Sequence, residues 1–506
     1  MSTKSSSRRR SRRKTRLISS GQDWDRRHLP GRQLHESEKL LVGALSLLVI
    51  YLPWALGSTH VLAQSIALCI AVLCFGAAIL PRQGDTHSIT SKGQFRRVFS
   101  FPVFWFGLLF LGYLTIQGFN SSHLVEGTEE FRYLTEKEPI SWLPSGLAAP
   151  FAESNPFRSM LIAAIPFFAI CAAWVGLTRR KSVHLLLTIL SVNGLMIAAI
   201  VFYKIAKGQG KILWFYEPPT SSFLGPFLHH WQGAGYLVIV MAAAVGMAAQ
   251  HFARARRSFH RSNPSGLFTF VGLALMLISI FSASRLSATL CGGLMGGFLA
   301  HIIYRELSAD ALFSRRAFLV VSGTVLTIIG MVVIGKVSAN YTDQQALNRK
   351  VTAPIASYEE WSASNSLALS LFQEKPVLGW GGGSFRHLHK EHANDGDGEE
   401  LAARSLEAEY AASDWFRMLA EFGIVGSLLL LLPFLYLLKQ FFRKQAFENP
   451  LAGFLLAGVA CGLVLCLASP LLQNAAFVTT WLLLLAFGCV LVRVETAAKS
   501  RSEMED

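Results

Sequence analysis

The sequence predicts an all-α polytopic membrane protein of about 12 transmembrane helices, with a large outer loop between spans 9 and 10. Three observations carry this. The 506 residues are 52% hydrophobic and only 16% charged, whereas a soluble domain carries about a quarter charged residues. Mean hydropathy is +0.39. The apolar residues also fall in blocks of roughly 20, the length that crosses a bilayer as a helix. Finally, the charge of the connections alternates along the chain, as topology requires.

The spans are expected near 39–57, 61–80, 100–119, 157–177, 182–206, 233–253, 266–284, 286–303, 317–335, 415–438, 450–470 and 475–493. Only Ser-Arg separates the seventh from the eighth. One set of connections is basic: "PRQGDTHSITSKGQFRR", "TRRK", "RARRSFHR" and "KQFFRK". These belong in the cytoplasm with both termini. The other set includes 120–156, with Glu126, Glu129, Glu130, Glu136 and Glu138, and the long segment 336–414. That segment holds 12 acidic residues against 7 Lys and Arg. The organisation expected is therefore a basic arm at 1–38, helices over 39–335, an outer loop at 336–414, helices over 415–493 and a tail at 494–506. Short helices are expected within the loop at 363–374 and 399–411.

The arm "KSSSRRRSRRKTR" accounts for much of the net charge of +15. Like-charge blocks of this kind set topology and touch anionic lipid. Nothing aromatic or structured around it points to nucleic acid. The first apolar block begins after residue 38 with no small-residue cleavage site following, so no removable signal peptide is expected. The seven cysteines all lie inside apolar blocks and read as small core residues.

Polar residues inside or beside the spans point to chemistry. Arg285 stands between two apolar runs in "SIFSASRLSATL". It is either an arginine snorkelling to headgroups or a fixed cation for a phosphate, whose oxygens a guanidinium fork binds in pairs. "KPVLGWGGGSFRHLHKEH" places Gly379, Gly381, Gly382 and Gly383 just before His387, His389 and His392. The stretch lacks the Gly-Lys-Ser/Thr that completes a nucleotide-binding loop. The histidines leave a metal site open, and the glycines suit a turn that brings backbone close to a ligand. In "ASDWFRMLAEFGIVG", Asp414 occupies an N-cap position while Arg417 and Glu421 are spaced i,i+4. They form a cap and an ion pair, or one carboxylate faces a substrate cavity.

Taken in order, these pieces resemble the O-antigen ligase and polymerase superfamily of bacterial envelope glycosyltransferases. "SASRLSATL" looks like the family's Ser-Arg span. "EKPVLGWGGGSF" resembles its Pro-x-x-Gly-x-Gly-x-x-Phe segment in the large periplasmic loop, and "SDWFRMLAEFGIVG" the helix that follows, with Glu421, Gly423 and Gly426 in register. "FLGPFLHHWQGAGYL" loosely resembles an earlier outer loop and the span after it. The resemblance covers roughly residues 220–440; the first 200 match only in hydropathy.

The resemblance implies a multi-pass enzyme of the bacterial inner membrane, needing no metal or other cofactor. Its donor would be an undecaprenyl-diphosphate-linked glycan, and its acceptor a hydroxyl on lipid, glycan or protein. Transfer would invert the anomeric centre while the lipid diphosphate leaves, with arginines stabilising the departing charge. Arg285 is the matching cation. The family's histidine before the post-loop helix is absent, since Ala412 stands there, and Trp361 occupies the place of a further arginine. Asp414, His387 and His389 are the candidates to replace the base, with Arg386, Arg349, Gly381, Gly382 and Glu421 as substrate contacts. Membrane lipid is an expected partner and nucleic acid is not. Two further readings stand beside ligation: glycan polymerisation or transfer to protein by the same chemistry, and a transporter or non-catalytic binder of lipid-linked glycan.

Overall fold

The structure is a computed structural model. It describes residues 36–81, 91–127, 132–207, 211–214, 216–217, 223–255, 264–282, 284–307, 333, 358–388, 412–442 and 449–505.

Apolar runs that begin at good helix starters form the frame. Helices α1 (Glu36–Trp54) and α2 (Val61–Ile79) are followed by the short α3 (Ser91–Phe99) and by α4 (Pro102–Phe119). Proline fits the first turn of α4 because the missing N–H would have had no partner there. Next come α5 (Pro156–Gly176), α6 (Arg180–Lys207), α7 (His230–Ala255), α8 (Ser265–Ile280) and α9 (Arg285–Leu307). Asn155 starts α5 by accepting the Arg158 N–H at 2.8 Å. Helix α10 (Tyr358–Glu374) precedes α11 (Asp414–Phe441), α12 (Pro450–Ala468) and α13 (Ala475–Glu505).

Among the described residues, ten helices are long and apolar enough to cross a membrane, as in a multi-pass membrane protein. The expected span at 266–284 is shorter, a 16-residue apolar helix, α8, that stops at Ile280. The break before α9 lies where the Ser-Arg pair marked it. Apart from Val333, the expected span at 317–335 lies outside the described residues, as does the short helix expected at 399–411. The other loop helix is present as α10. Helices α13 and α7 are the most enclosed, with 94% and 83% of their central stretches buried. Their apolar residues run all round the helix, as a central helix requires.

The segment 120–156 departs from an all-helical expectation. It folds into a three-stranded sheet ordered β2-β1-β3, from β1 (Ser121–Gly127), β2 (Arg132–Glu136) and β3 (Gly146–Ala148). β1 pairs antiparallel with β2 and parallel with β3. Asn120 fixes the return of the chain: its carboxamide accepts from Ile140 N at 2.8 Å and donates to Ile140 O at 3.1 Å. β1 reads Ser-Ser-His-Leu-Val-Glu-Gly, with no apolar–polar alternation to reveal a strand.

Contacts sort the connections to two ends. At one end Arg158 reaches Thr59 O (2.6 Å), Asn474 donates to Gln232 (3.1 Å) and Gly382 N donates to Gln117 Oε1 (3.2 Å). This end carries the sheet, α10 and the glycine loop, which share a small core of Leu147, Ala368, Leu371, Trp380, Phe385, Leu388 and Ala420. At the other end Glu38 is buried and accepts from Thr178 Oγ1 (2.8 Å), Thr178 N (3.2 Å) and Ser182 Oγ (2.6 Å). Glu38→Ala strands these donors, each costing about 1–3 kcal/mol when buried. The variant is expected to unfold in detergent at a clearly lower temperature, whereas Glu38→Gln, whose amide oxygen still accepts, loses less.

Candidate functional site

The glycine loop and α11 interlock. Helix α11 breaks at Gly423, whose φ of 61° and ψ of −166° only glycine adopts readily. The break frees two carbonyls and two N–H groups, and residues 376–381 take all four. Trp380 N donates to Ala420 O (3.0 Å) and Gly381 N to Glu421 O (2.8 Å). In return Ile424 N donates to Pro376 O (2.9 Å) and Val425 N to Val377 O (3.1 Å). A polar backbone at such a place survives only when every group is paired. The backbones cross so closely that a Cβ on Gly379 would stand 2.5 Å from both Glu421 O and Gly423 N. The glycines therefore bring backbone close to backbone. Tyr113 seals the crossing, its hydroxyl lying 2.5 Å from Leu378 O and 3.0 Å from Phe422 O.

Just before the break, α11 carries Asp414, Arg417 and Glu421 on one face, at i, i+3 and i+7. All three are buried. Arg417 Nη2 lies 2.7 Å from Asp414 Oδ1, and its Nη1 lies 4.0 Å from Glu421 Oε2. Asp414 Oδ2 accepts the N–H groups of Leu471 (2.6 Å) and Leu472 (2.7 Å). Both Asp414 oxygens are thus engaged, and the residue ties α11 to the α12–α13 link rather than presenting a spare oxygen to an acceptor. The backbone N–H groups of Gly383 and Phe385 lie near Glu421, so its carboxylate faces the glycine loop. Its Oε1 is buried with no hydrogen-bond partner among the described residues.

Arg417 and Glu421 open onto a cavity of about 230 Å³ between α4, α5, α11 and α13. Its other walls are overwhelmingly apolar, including Phe110, Ile162, Pro166, Phe434 and Trp481. On α11 the lining runs from Trp415 to Leu437, about 30 Å at the helical rise. The void is therefore a narrow apolar slot with charge near one end.

The remaining sequence-derived candidates are dispersed. His387 is buried and its Nε2 lies 2.9 Å from Ser154 O. A carbonyl only accepts, so Nε2 carries the proton and the ring straps the glycine loop to the 149–155 turn. Arg386 beside it is half-buried. Gly382 N is held by Gln117, and Gly381 N by the α11 break. Arg285 is exposed at the start of α9 and does not line the slot. Arg349 and His389 lie outside the described residues. Ala412, where the resemblance expects histidine, is buried with its N–H on Ser364 Oγ at 3.0 Å. Among the described residues no three His, Cys, Asp or Glu side chains gather as metal donors.

Arg417 was read from the sequence as half of an i,i+4 ion pair, and its place on the slot needed α4 and α5. Gln117 was not singled out, because it gives no signal in an apolar span. Its carboxamide reaches both sides of the glycine loop, donating to Leu378 O at 3.3 Å and accepting from Gly382. Beside the loop, Lys375 sits 3.6 Å over the Trp380 ring, and burial pulls its ammonium below the usual lysine range.

Comparison with protein-family models and with curated proteins gave no match.

Proposed function

We propose that the protein is an inner-membrane glycosyltransferase that moves a glycan from an undecaprenyl-diphosphate carrier to an acceptor hydroxyl at the periplasmic face. One observation carries the reading: an apolar slot of membrane-spanning length meets a buried guanidinium and a carboxylate, beneath a folded loop cap. An isoprenoid chain suits the slot, and its phosphorylated head suits the charged end.

The chemistry assigned to the residues follows. The acceptor hydroxyl gives its proton to Glu421 Oε1 as its oxygen bonds to the anomeric carbon. The bond from that carbon to the diphosphate oxygen breaks on the opposite face, and the electron pair leaves with the phosphate. Arg417 stands where that charge grows, in a site that excludes water. Arg417 faces two carboxylates, so the trio has a formal charge of −1 when both are ionised. A diphosphate therefore needs additional cations, which Arg386 and Lys375 would supply from the glycine loop.

One observation favours a second reading, a binder that presents lipid-linked glycan without consuming it. Ala412 carries no base, and both Asp414 oxygens are engaged. Purified protein incubated with undecaprenyl-diphosphate-linked glycan and a glycolipid acceptor separates the two. Transfer by the wild type, reduced about 10²–10⁴-fold in Glu421→Gln with donor binding kept, is expected of a positioned base. Donor that is bound but never consumed would establish the binder instead.

A further inference from the structure

Most of the slot's lining is hydrocarbon, so its few polar side chains mark where a ligand changes from tail to head. Among the described residues they are Ser159, Arg417, Glu421 and Gln473. The two tryptophans of the lining turn their indole N–H groups to backbone instead, Trp415 to Leu463 O at 3.4 Å and Trp481 to Val459 O at 3.0 Å. Arg417 and Glu421 serve the phosphate and the acceptor in the proposed reaction. Ser159 and Gln473 have no role in it.

Both stand at the capped end. Ser159 lies in the first turn of α5, so close to the glycine loop that a Cβ on Gly382 would come within 2.8 Å of its Cβ and Oγ. Gln473 lies in the α12–α13 link, between neighbours that are fixed on either side. Before it, Asp414 Oδ2 accepts the Leu471 and Leu472 N–H groups at 2.6 and 2.7 Å. After it, Asn474 donates to Gln232 Oε1 at 3.1 Å and caps α13 by accepting the Phe477 N–H at 2.9 Å. The backbone around Gln473 is therefore held firmly, as suits a residue that must meet one particular group of a ligand.

The residue types indicate which group. A phosphate oxygen only accepts, and a guanidinium, which only donates, complements it. A hydroxyl and a carboxamide each donate and accept. They complement a group that does the same, as the hydroxyls and amides of a sugar do. Being neutral, they also leave the charge of the Asp414–Arg417–Glu421 trio unaltered. The sugar that carries the reacting anomeric carbon lies between the diphosphate and the acceptor, hence between Arg417 and Glu421. We propose that Gln473, together with Ser159, hydrogen-bonds the hydroxyl or amide substituents of the sugar joined directly to the diphosphate, and so selects the donor by that sugar. The assignment rests on the reading of the slot as a site for a lipid-diphosphate-linked glycan.

The test titrates the purified full chain in detergent with two lipids, undecaprenyl diphosphate and the same lipid carrying a single N-acetylglucosamine. The wild type should bind the glycosylated lipid more tightly. Gln473→Met keeps the length of the side chain and removes its hydrogen bonds. It should weaken the glycosylated lipid at least about fivefold, the worth of one hydrogen bond, and leave the bare lipid unaltered. Ser159→Ala should act in the same direction and less. Equal weakening of both lipids, at an unchanged unfolding temperature, would place the carboxamide on the diphosphate. Unweakened binding of both would remove it from the headgroup. Either result overturns the assignment and leaves the lipid-diphosphate site standing. Failure of the wild type to bind either lipid would overturn that site, and the assignment with it.

Discussion

Arg417→Met is expected to destabilise the protein by about 3–5 kcal/mol, the cost of leaving a buried carboxylate without its counter-charge. Arg417 is 6% exposed, and its partners Asp414 and Glu421 are 0% and 2% exposed. Water therefore cannot replace the guanidinium. The loss should spread, because Asp414 also holds the Leu471 and Leu472 N–H groups and Glu421 faces the glycine loop. Equilibrium unfolding in mixed micelles measures it. Adding Asp414→Asn to Arg417→Met removes one stranded charge but keeps an acceptor for those N–H groups, so the double variant should regain part of the stability. It should not regain transfer or lipid-diphosphate binding, which separates the structural from the functional share of the residue. A single variant as stable as the wild type would show that the buried trio is not the structural centre of this end.

Gly423→Ala is the second large effect. At φ 61° and ψ −166° any side chain is strained by about 1–3 kcal/mol. A Cβ there would also stand 2.5 Å from Val377 O and 2.6 Å from Gly379 N. Both neighbours are backbone and cannot rotate away. Relieving the clash means parting the crossing and losing its four hydrogen bonds, so a total of about 3 kcal/mol or more is expected. Hydrogen exchange at 376–381 should rise at the same time, and the small core around Trp380 should loosen. Gly43→Ala provides the contrast. That glycine sits in α1 with nothing within 4 Å of an added Cβ. Alanine there should be neutral or stabilise by up to about 1 kcal/mol. If both substitutions behaved alike, the crossing would not be what holds the cap to the bundle.

The spans were readable because hydrocarbon imposes a length and a composition on each helix separately. Even the Ser-Arg break before α9 and the loop helix α10 could be placed from local residues. The candidate site was readable only in parts. Asp414 and Glu421 drew notice as carboxylates at a helix start, yet nothing local distinguishes the first, with both oxygens engaged, from the second, with Oε1 unpaired. That difference lies in Leu471 and Leu472, more than 50 positions away. The histidines drew notice as ligands or bases, and His387 turns out to be a strap to Ser154.

The sequence by itself determined a multi-pass helical membrane protein, because apolar length is a property of each segment alone. It also marked Gly379, Gly381, Gly382 and Gly383 as a turn that brings backbone close to a ligand. The tertiary structure decided what the glycines are for. Residues 376–381 fill the hydrogen-bonding gap of a helix broken 40 residues later, since backbone groups away from water must find partners wherever the fold brings them. It likewise decided that Arg417 and Glu421, rather than Arg285, face the slot, because a cavity is made by helices distant in sequence and belongs to none of them.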